Sequence, residues 1–287
     1  SRSISEKIRA TNEVAARLGP PAATRPPPTA TPSEAARPPH LTEDEAGWLM
    51  VLGQETEVPA GETVVLEGDG QRLLLDCGPG VLGRLREREG WPHVDAIAIT
   101  HFHLDHWGDL VPWVWGSFYR QGHGDEQPEL WVYRGGHDFL VELGSRLGFP
   151  DMFDRTFRVS EYDAETSFST AGFDVLPVRL PHYKLETYGF RVSNDTTTLA
   201  YTGDTGPSER IAELARDADL LVCEATLATG AADGEPRGHL SVDEALDAYA
   251  ASGARRLLLT HRPSELDLPD GLDLAYDGME LEIDPAA

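Results

Sequence analysis

Apolar and polar positions alternate in short blocks from about residue 41 onward, and the blocks predict an ordered series of strands and helices. Trp48-Leu49-Met50-Val51-Leu52 and Thr63-Val64-Val65-Leu66-Glu67 read as strands. The turn Gly68-Asp69-Gly70 then leads into Arg72-Leu73-Leu74-Leu75-Asp76, which predicts a hairpin. Further strands are predicted at 94–99, 130–133, 172–180, 187–193, 197–202, 219–223 and 255–260. Helices are predicted at 78–89, 106–119, 207–216 and 241–252. Strand pairs come first, helices then alternate with strands, and the order recurs in both halves. That order predicts an α/β fold of two facing sheets with helices on the outer faces.

The first 40 residues follow another pattern. Ile4, Ile8, Ala15 and Leu18 fall on one face of a predicted short helix over 1–18. Residues 19–40 contain eight prolines, which remove backbone donors and predict an extended linker without a core. The domain itself is expected over 41–287. The N-terminal segment is read either as a tail or as a tether whose helix docks on a partner or a second subunit.

Charge narrows the partners. Among 287 residues, 24 are basic and 49 acidic, for a formal charge of −25, and Lys7 and Lys184 are the sole lysines. Such a surface repels polyanions, and no Lys/Arg cluster supplies the basic footprint that a long nucleic acid needs. A small anionic or ester substrate is expected instead. No apolar run approaches the ~18 residues of a membrane helix. Cys77 and Cys223 each lie beside an apolar run and read as buried thiols of a cytoplasmic protein, with a disulfide as the alternative.

The strand-like run 94–99 is followed by Thr100-His101-Phe102-His103-Leu104-Asp105-His106. Three imidazoles and a carboxylate at this spacing are a donor set for zinc or a similar divalent ion. His182, Asp204 and His261 each follow a further predicted strand, where a rigid scaffold hands over to a loop.

Together these residues resemble the ligand set of the metallo-β-lactamase superfamily, and Leu75-Asp76-Cys77-Gly78 resembles that fold's early aspartate turn. The resemblance covers roughly 48–262 and implies an αββα sandwich. It implies one zinc on His101, His103 and His182, a second on Asp105, His106 and His261, and Asp204 between them. Such a pair would activate a bridging hydroxide for hydrolysis. His103 stands where the diiron, oxygen-reducing branch has a carboxylate, so the resemblance favours zinc, with Mn2+ or Fe2+ as alternatives.

Cys223-Glu224-Ala225-Thr226 and Gly238-His239-Leu240-Ser241 resemble motifs of the RNase Z-like phosphodiesterase branch. There the residue matching His239 is expected to protonate the leaving group or bind phosphate. Glu224 would orient it, and Asp105 would hold a proton. The plainer reading makes Ser241 a helix cap and Glu224 a satisfied strand-end carboxylate. That branch carries a long basic arm between the residues matching His182 and Asp204, and here the span is too short for one. Lys184 and Trp107 are expected to touch substrate, and Phe149, Met152, Phe153 and Phe157 to form a flap. The expectation is a dizinc phosphodiesterase for small diesters, by analogy a homodimer. The alternatives are a lactonase, thioesterase or other acyl hydrolase on the same centre, and a non-catalytic binding module with a tether.

Overall fold

The computed structural model describes residues 63–119, 127–263, 266, 268 and 271–283, and the backbone of Gly47–Leu52. The expectations for 1–18 and 19–40 lie outside the described residues.

Two mixed sheets face each other. The first has the order β13-β1-β2-β3-β4-β5-β6, formed by Glu280–Ile283, Gly47–Leu52, Thr63–Gly68, Gln71–Leu75, Ala96–Ala98, Glu129–Tyr133 and Arg158–Tyr162. The second has the order β12-β11-β10-β9-β8-β7, formed by Leu257–Thr260, Leu220–Glu224, Thr198–Tyr201, Leu185–Ser193, Phe173–His182 and Phe168–Thr170. The described helices are α1 (Val81–Arg88), α2 (Leu104–Trp107), α3 (Leu110–Tyr119), α4 (Gly136–Arg146), α5 (Arg210–Leu214) and α6 (Val242–Ser252).

Side-chain alternation along each strand builds the layers. Leu73, Leu75, Ala96 and Ala98 of the first sheet join Val175, Phe190, Tyr201, Val222 and Leu258 of the second in the central core. Their neighbours Leu74 and Ile97 turn outward onto Val81 and Leu85 of α1, Trp113 of α3 and Leu140 of α4. Leu221 and Leu259 turn outward onto Ile211, Leu214, Val242 and Ala245 of α5 and α6. Because both faces of the central strands are covered, those strands read as continuous apolar runs. This is the αββα sandwich.

The topology brings the predicted donors to one edge. β3, β4, β5 and β6 pair in parallel, as do β10, β11 and β12. β9 is antiparallel to both β8 and β10, so β8 runs the same way as β10. β3 to β6 therefore end on one side of the first sheet, and β8, β10, β11 and β12 on one side of the second.

Several expectations change. The predicted helix over 106–119 is two pieces, α2 and α3, broken at Gly108-Asp109. The Asp109 carboxylate turns back to accept the Leu82 amide of α1 at 2.7 Å. The predicted flap is not one: Met152, Phe153 and Phe157 are core residues, and Phe149 alone of the four is exposed. α4, β6, β7 and β13 were not predicted. Cys77 and Cys223 are buried and form no disulfide. No helix among the described residues is long and apolar enough to cross a membrane.

Candidate metal centre

The donors converge from four strand ends. His101, His103, His182 and Asp204 form one group and Asp105, His106, Asp204 and His261 a second, each with its donor atoms within 4.8 Å of one another. Asp204 belongs to both. Its Oδ2 lies 3.8 Å from His101 Nε2, 3.7 Å from His182 Nε2 and 3.3 Å from His106 Nε2, and its Oδ1 lies 3.4 Å from His261 Nε2. Asp105 Oδ2 is 3.5 Å from His261 Nε2 and 3.8 Å from His106 Nε2. Gly203, at φ 54, puts Asp204 there: a Cβ on Gly203 would sit 3.0 Å from the Thr100 side chain.

The electrostatics follow from crowding in a buried place. Burial alone would raise the Asp204 carboxyl, but the imidazoles of His261, His106 and His101 hold it well below the ordinary carboxylate range. Burial, and then the neighbouring His106, lower His101. Burial lowers His182 to about 4 against the pull of Asp204. His106 goes the other way, because Asp204 and Asp76 overcome its burial.

A cation fits these residues on a test that needs no analogy. His101 Nε2, His106 Nε2 and Asp204 Oδ1 are buried and lack any hydrogen-bond partner, although buried polar atoms are nearly always satisfied. The opposite nitrogen of each ring is committed elsewhere. His106 Nδ1 meets Asp76 Oδ2 at 2.8 Å, His101 Nδ1 meets Thr100 Oγ1 at 3.0 Å, and His182 Nδ1 meets the Gly238 carbonyl at 2.6 Å. His261 Nδ1 meets Thr226 Oγ1 at 2.8 Å. The His101 and His106 rings, fixed on one side and open on the other, stand as a protein presents imidazole to a metal.

Asp76 is the hub of this outer layer. It sits at φ 65, in the left-handed region, just past the end of β3. Its carboxylate accepts the Thr100 amide at 2.7 Å, the Thr100 hydroxyl at 2.9 Å and the Tyr201 hydroxyl at 2.9 Å. Its carbonyl accepts from Thr63 Oγ1 at 3.2 Å.

Next to the donors stands a third group, Glu224, His239 and His261. Glu224 is fully buried at the end of β11. Its Oε1 accepts from the Thr205 amide at 2.6 Å and lies 3.1 Å from His239 Nδ1, and its Oε2 accepts from Thr226 Oγ1 at 2.8 Å. The His239 ring stacks on His261, with centroids 5.5 Å apart and planes at 13°. Ser241 caps α6 in a capping box with Glu244, so the plainer reading of that serine stands beside the contact of Glu224 with His239.

A model of the beta-lactamase superfamily domain matches residues 71–262. The chain belongs to the beta-lactamase superfamily. Protein ML1173 of Mycobacterium leprae (strain TN) is 33% identical, over 79% of this chain and 80% of its own. YhfI of Bacillus subtilis (strain 168), a probable metallo-hydrolase, is 28% identical over 67% of this chain and 75% of its own. The crystal structure of YhfI superposes with a TM-score of 0.70 at 22% identity, covering 83% of this chain and all of that one (100%). Human tRNase Z, short form, superposes with a TM-score of 0.66 at 25% identity, covering 82% and 99%. At this level the chain has the superfamily fold and shares its family with a probable metallo-hydrolase.

Trp107 is corrected to a core residue: it is 6% exposed, and its indole N–H is spent on the Phe102 carbonyl at 3.1 Å. Lys184 lies exposed in the two-residue turn between β8 and β9. The sequence reading did not single out Thr226, Asp233 or Arg262. Thr226 joins Glu224 and His261, and its place two residues past Glu224 was the available signal. Asp233 holds the backbone of the His239 loop, and nothing in its neighbourhood marked it. Arg262 directly follows His261, and its Nε is buried without a partner.

Proposed function

We propose that this chain is a dinuclear zinc hydrolase that cleaves small phosphodiesters. One ion would rest on His101, His103 and His182, and the other on Asp105, His106 and His261, with Asp204 shared. When bound, such ions lower the pKa of water and polarise the ester oxygens.

The chain's own residues supply the rest. Hydrolysis forms a new P–O bond to the oxygen of water and breaks one ester P–O bond. One water proton must be taken up, and the departing oxygen must gain one. Asp105, beside both His106 and His261, is placed to hold the first proton. His239 is placed to give the second. With Nδ1 committed to Glu224, its Nε2 is the atom left to deliver a proton. Burial would lower the His239 pKa, but the hydrogen bond and charge of Glu224, with the charge of Asp204, raise it. An imidazole kept protonated nearer neutral pH suits an acid.

The observation that carries the phosphodiester reading is the Glu224–His239 contact of 3.1 Å at the rim of the donor cluster. The likeness to tRNase Z supports the same bond class. A tRNA substrate is not part of the proposal. The span from His182 to Asp204 is used up by the two-residue turn, β9 and β10, and the chain carries a net charge of −25.

The test is a side-by-side panel on metal-reconstituted protein: bis-p-nitrophenyl phosphate, a lactone and a thioester. Turnover should be fastest on the diester. Faster cleavage of the carbon esters would replace phosphorus by carbon as the electrophile, and no turnover of any would remove the hydrolase reading.

A further inference from the structure

The loop that carries His239 has little regular structure of its own. Between β11 and α6 the chain makes one short 3-10 turn, Gly230–Ala232, and otherwise runs without strand or helix. A proton donor on such a loop needs its backbone fixed by something else.

We propose that Asp233 is a positioning residue that fastens the His239 backbone so that the ring can serve the leaving group, an inference that rests on the phosphodiesterase reading above. Asp233 Oδ2 accepts the amide of Gly238 at 2.7 Å and the amide of His239 at 3.0 Å. Its Oδ1 accepts the Gly234 amide at 2.8 Å. These donors keep it ionised: burial would raise it, but the N–H groups of Gly238, His239 and Gly234 hold its carboxyl down at about 2.

The other side of the residue is held as well. Arg237 Nη2 donates to the His239 carbonyl at 3.0 Å, and that guanidinium grips Glu244 at 2.5 and 2.8 Å. His239 is therefore pinned at its N–H by Asp233 and at its C=O by Arg237. The segment also has no room to slide. A Cβ on Gly238 would lie 2.3–2.5 Å from the Tyr183 ring, so that ring packs directly on the backbone. Tyr183 is held at φ 48, a conformation that costs a non-glycine residue energy and persists where the surroundings enforce it.

Asp233 thereby joins two functional ends. Gly238 presents its carbonyl to His182 Nδ1 at 2.6 Å while its amide is held by Asp233. His239, the next residue, directs its ring at Glu224 and His261. Metal binding has a second support at this point, because the Tyr183 amide also donates to the Arg237 carbonyl at 3.1 Å. Loss of the Asp233 carboxylate is therefore expected to loosen the ring of His239 before it disturbs the donors.

The experiment uses holoenzyme with Asp233→Ala and Asp233→Asn and two probes, bis-p-nitrophenyl phosphate and diphenyl phosphate. Nitrophenolate departs with little help, whereas phenolate needs a proton. Asp233→Ala should lower kcat on diphenyl phosphate by at least about 10-fold more than on the nitrophenyl diester, within the range general acids supply. KM and metal content should stay close to the wild-type values. Asn, which keeps one acceptor oxygen, should recover much of the loss. Equal losses on both probes, or loss of metal, would overturn the assignment, since a merely structural residue acts on both alike. Amide hydrogen exchange at Gly238 and His239 gives an answer free of activity: faster exchange in Asp233→Ala supports the pinning and unchanged exchange refutes it. Wild-type protein that cleaves neither diester would sink the phosphodiesterase reading, and the amide exchange would still decide whether Asp233 holds the His239 backbone.

Discussion

The Tyr201 hydroxyl donates to Asp76 Oδ2 at 2.9 Å, so a residue of the second sheet holds the carboxylate at the tip of the first. Asp76 in turn holds His106. Tyr201→Phe keeps the ring in the core and removes this link. A hydrogen bond to a charged group contributes about 2 kcal/mol, and loss of an outer partner of a metal-binding histidine lowers affinity by about 10-fold. Urea denaturation and competitive zinc titration would measure the two effects separately. An unchanged zinc affinity would mean that Thr100 alone suffices to hold Asp76.

Four imidazoles surround the buried Asp204, and His101 Nε2, His106 Nε2 and Asp204 Oδ1 lack a hydrogen-bond partner; a cation relieves both conditions. Ligand present at 100 times its Kd stabilises the folded state by about 2.7 kcal/mol. For a chain of this size that corresponds to a rise in Tm of roughly 5–10 °C. Zinc added to chelator-stripped protein should give this shift in a thermal scan. Asp204→Asn should abolish most of it. A full shift in the variant would locate the binding elsewhere.

How far the sequence reached depends on what each feature rests on. The donors were legible because each follows an apolar strand, and strand ends are marked by the change from apolar run to His or Asp. The sandwich was legible because Leu73-Leu74-Leu75 and Leu257-Leu258-Leu259 are apolar on both faces. Asp76 was read as part of a turn, but the hydrogen bonds of its carboxylate come from residues 24, 30 and 125 positions away, a distance no local pattern carries. Trp107 was misplaced because an aromatic after a metal motif looks the same whether it faces substrate or core. α4 was not predicted: Gly135 stands at its start and Gly136 and Gly144 inside it, and glycine weakens a helical pattern. Two of those glycines are demanded by packing: a Cβ on Gly136 would meet Val132 at 2.8 Å, and one on Gly144 would meet the Phe149 carbonyl at 2.5 Å.

Acid should weaken the cap of α6 in a defined window. The hydrogen bond of Arg237 lowers the Glu244 carboxyl most, and the amide and hydroxyl of Ser241 add to it, so its pKa falls from 4.5 to about 2 in the folded chain. A folded pKa below the unfolded one means that the contribution is complete above pH 4.5 and is lost as pH falls toward 2. The stability gap between wild type and Glu244→Gln, from urea midpoints, should be constant from pH 8 down to about 5 and then close. A gap that stays open to pH 2 would show that the charge of Glu244 is not what holds the cap.

Glycines inside two of the helices make opposite predictions. Gly83, in α1, has no atom within 4 Å of a built Cβ. Alanine there adds no clash and reduces the freedom of the unfolded chain, so Gly83→Ala should stabilise by about 0.5–1 kcal/mol. Gly144, in α4, faces the Phe149 carbonyl at 2.5 Å, and that oxygen belongs to backbone whose own amide is bonded to the Gly144 carbonyl at 2.8 Å. Neither side can yield without breaking the turn that ends the helix, so Gly144→Ala should destabilise by about 1–3 kcal/mol. Guanidinium denaturation of the two variants, compared with wild type, should give shifts of opposite sign. A stabilised Gly144→Ala would mean that the turn at 147–150 relaxes freely and that the glycine serves no packing role.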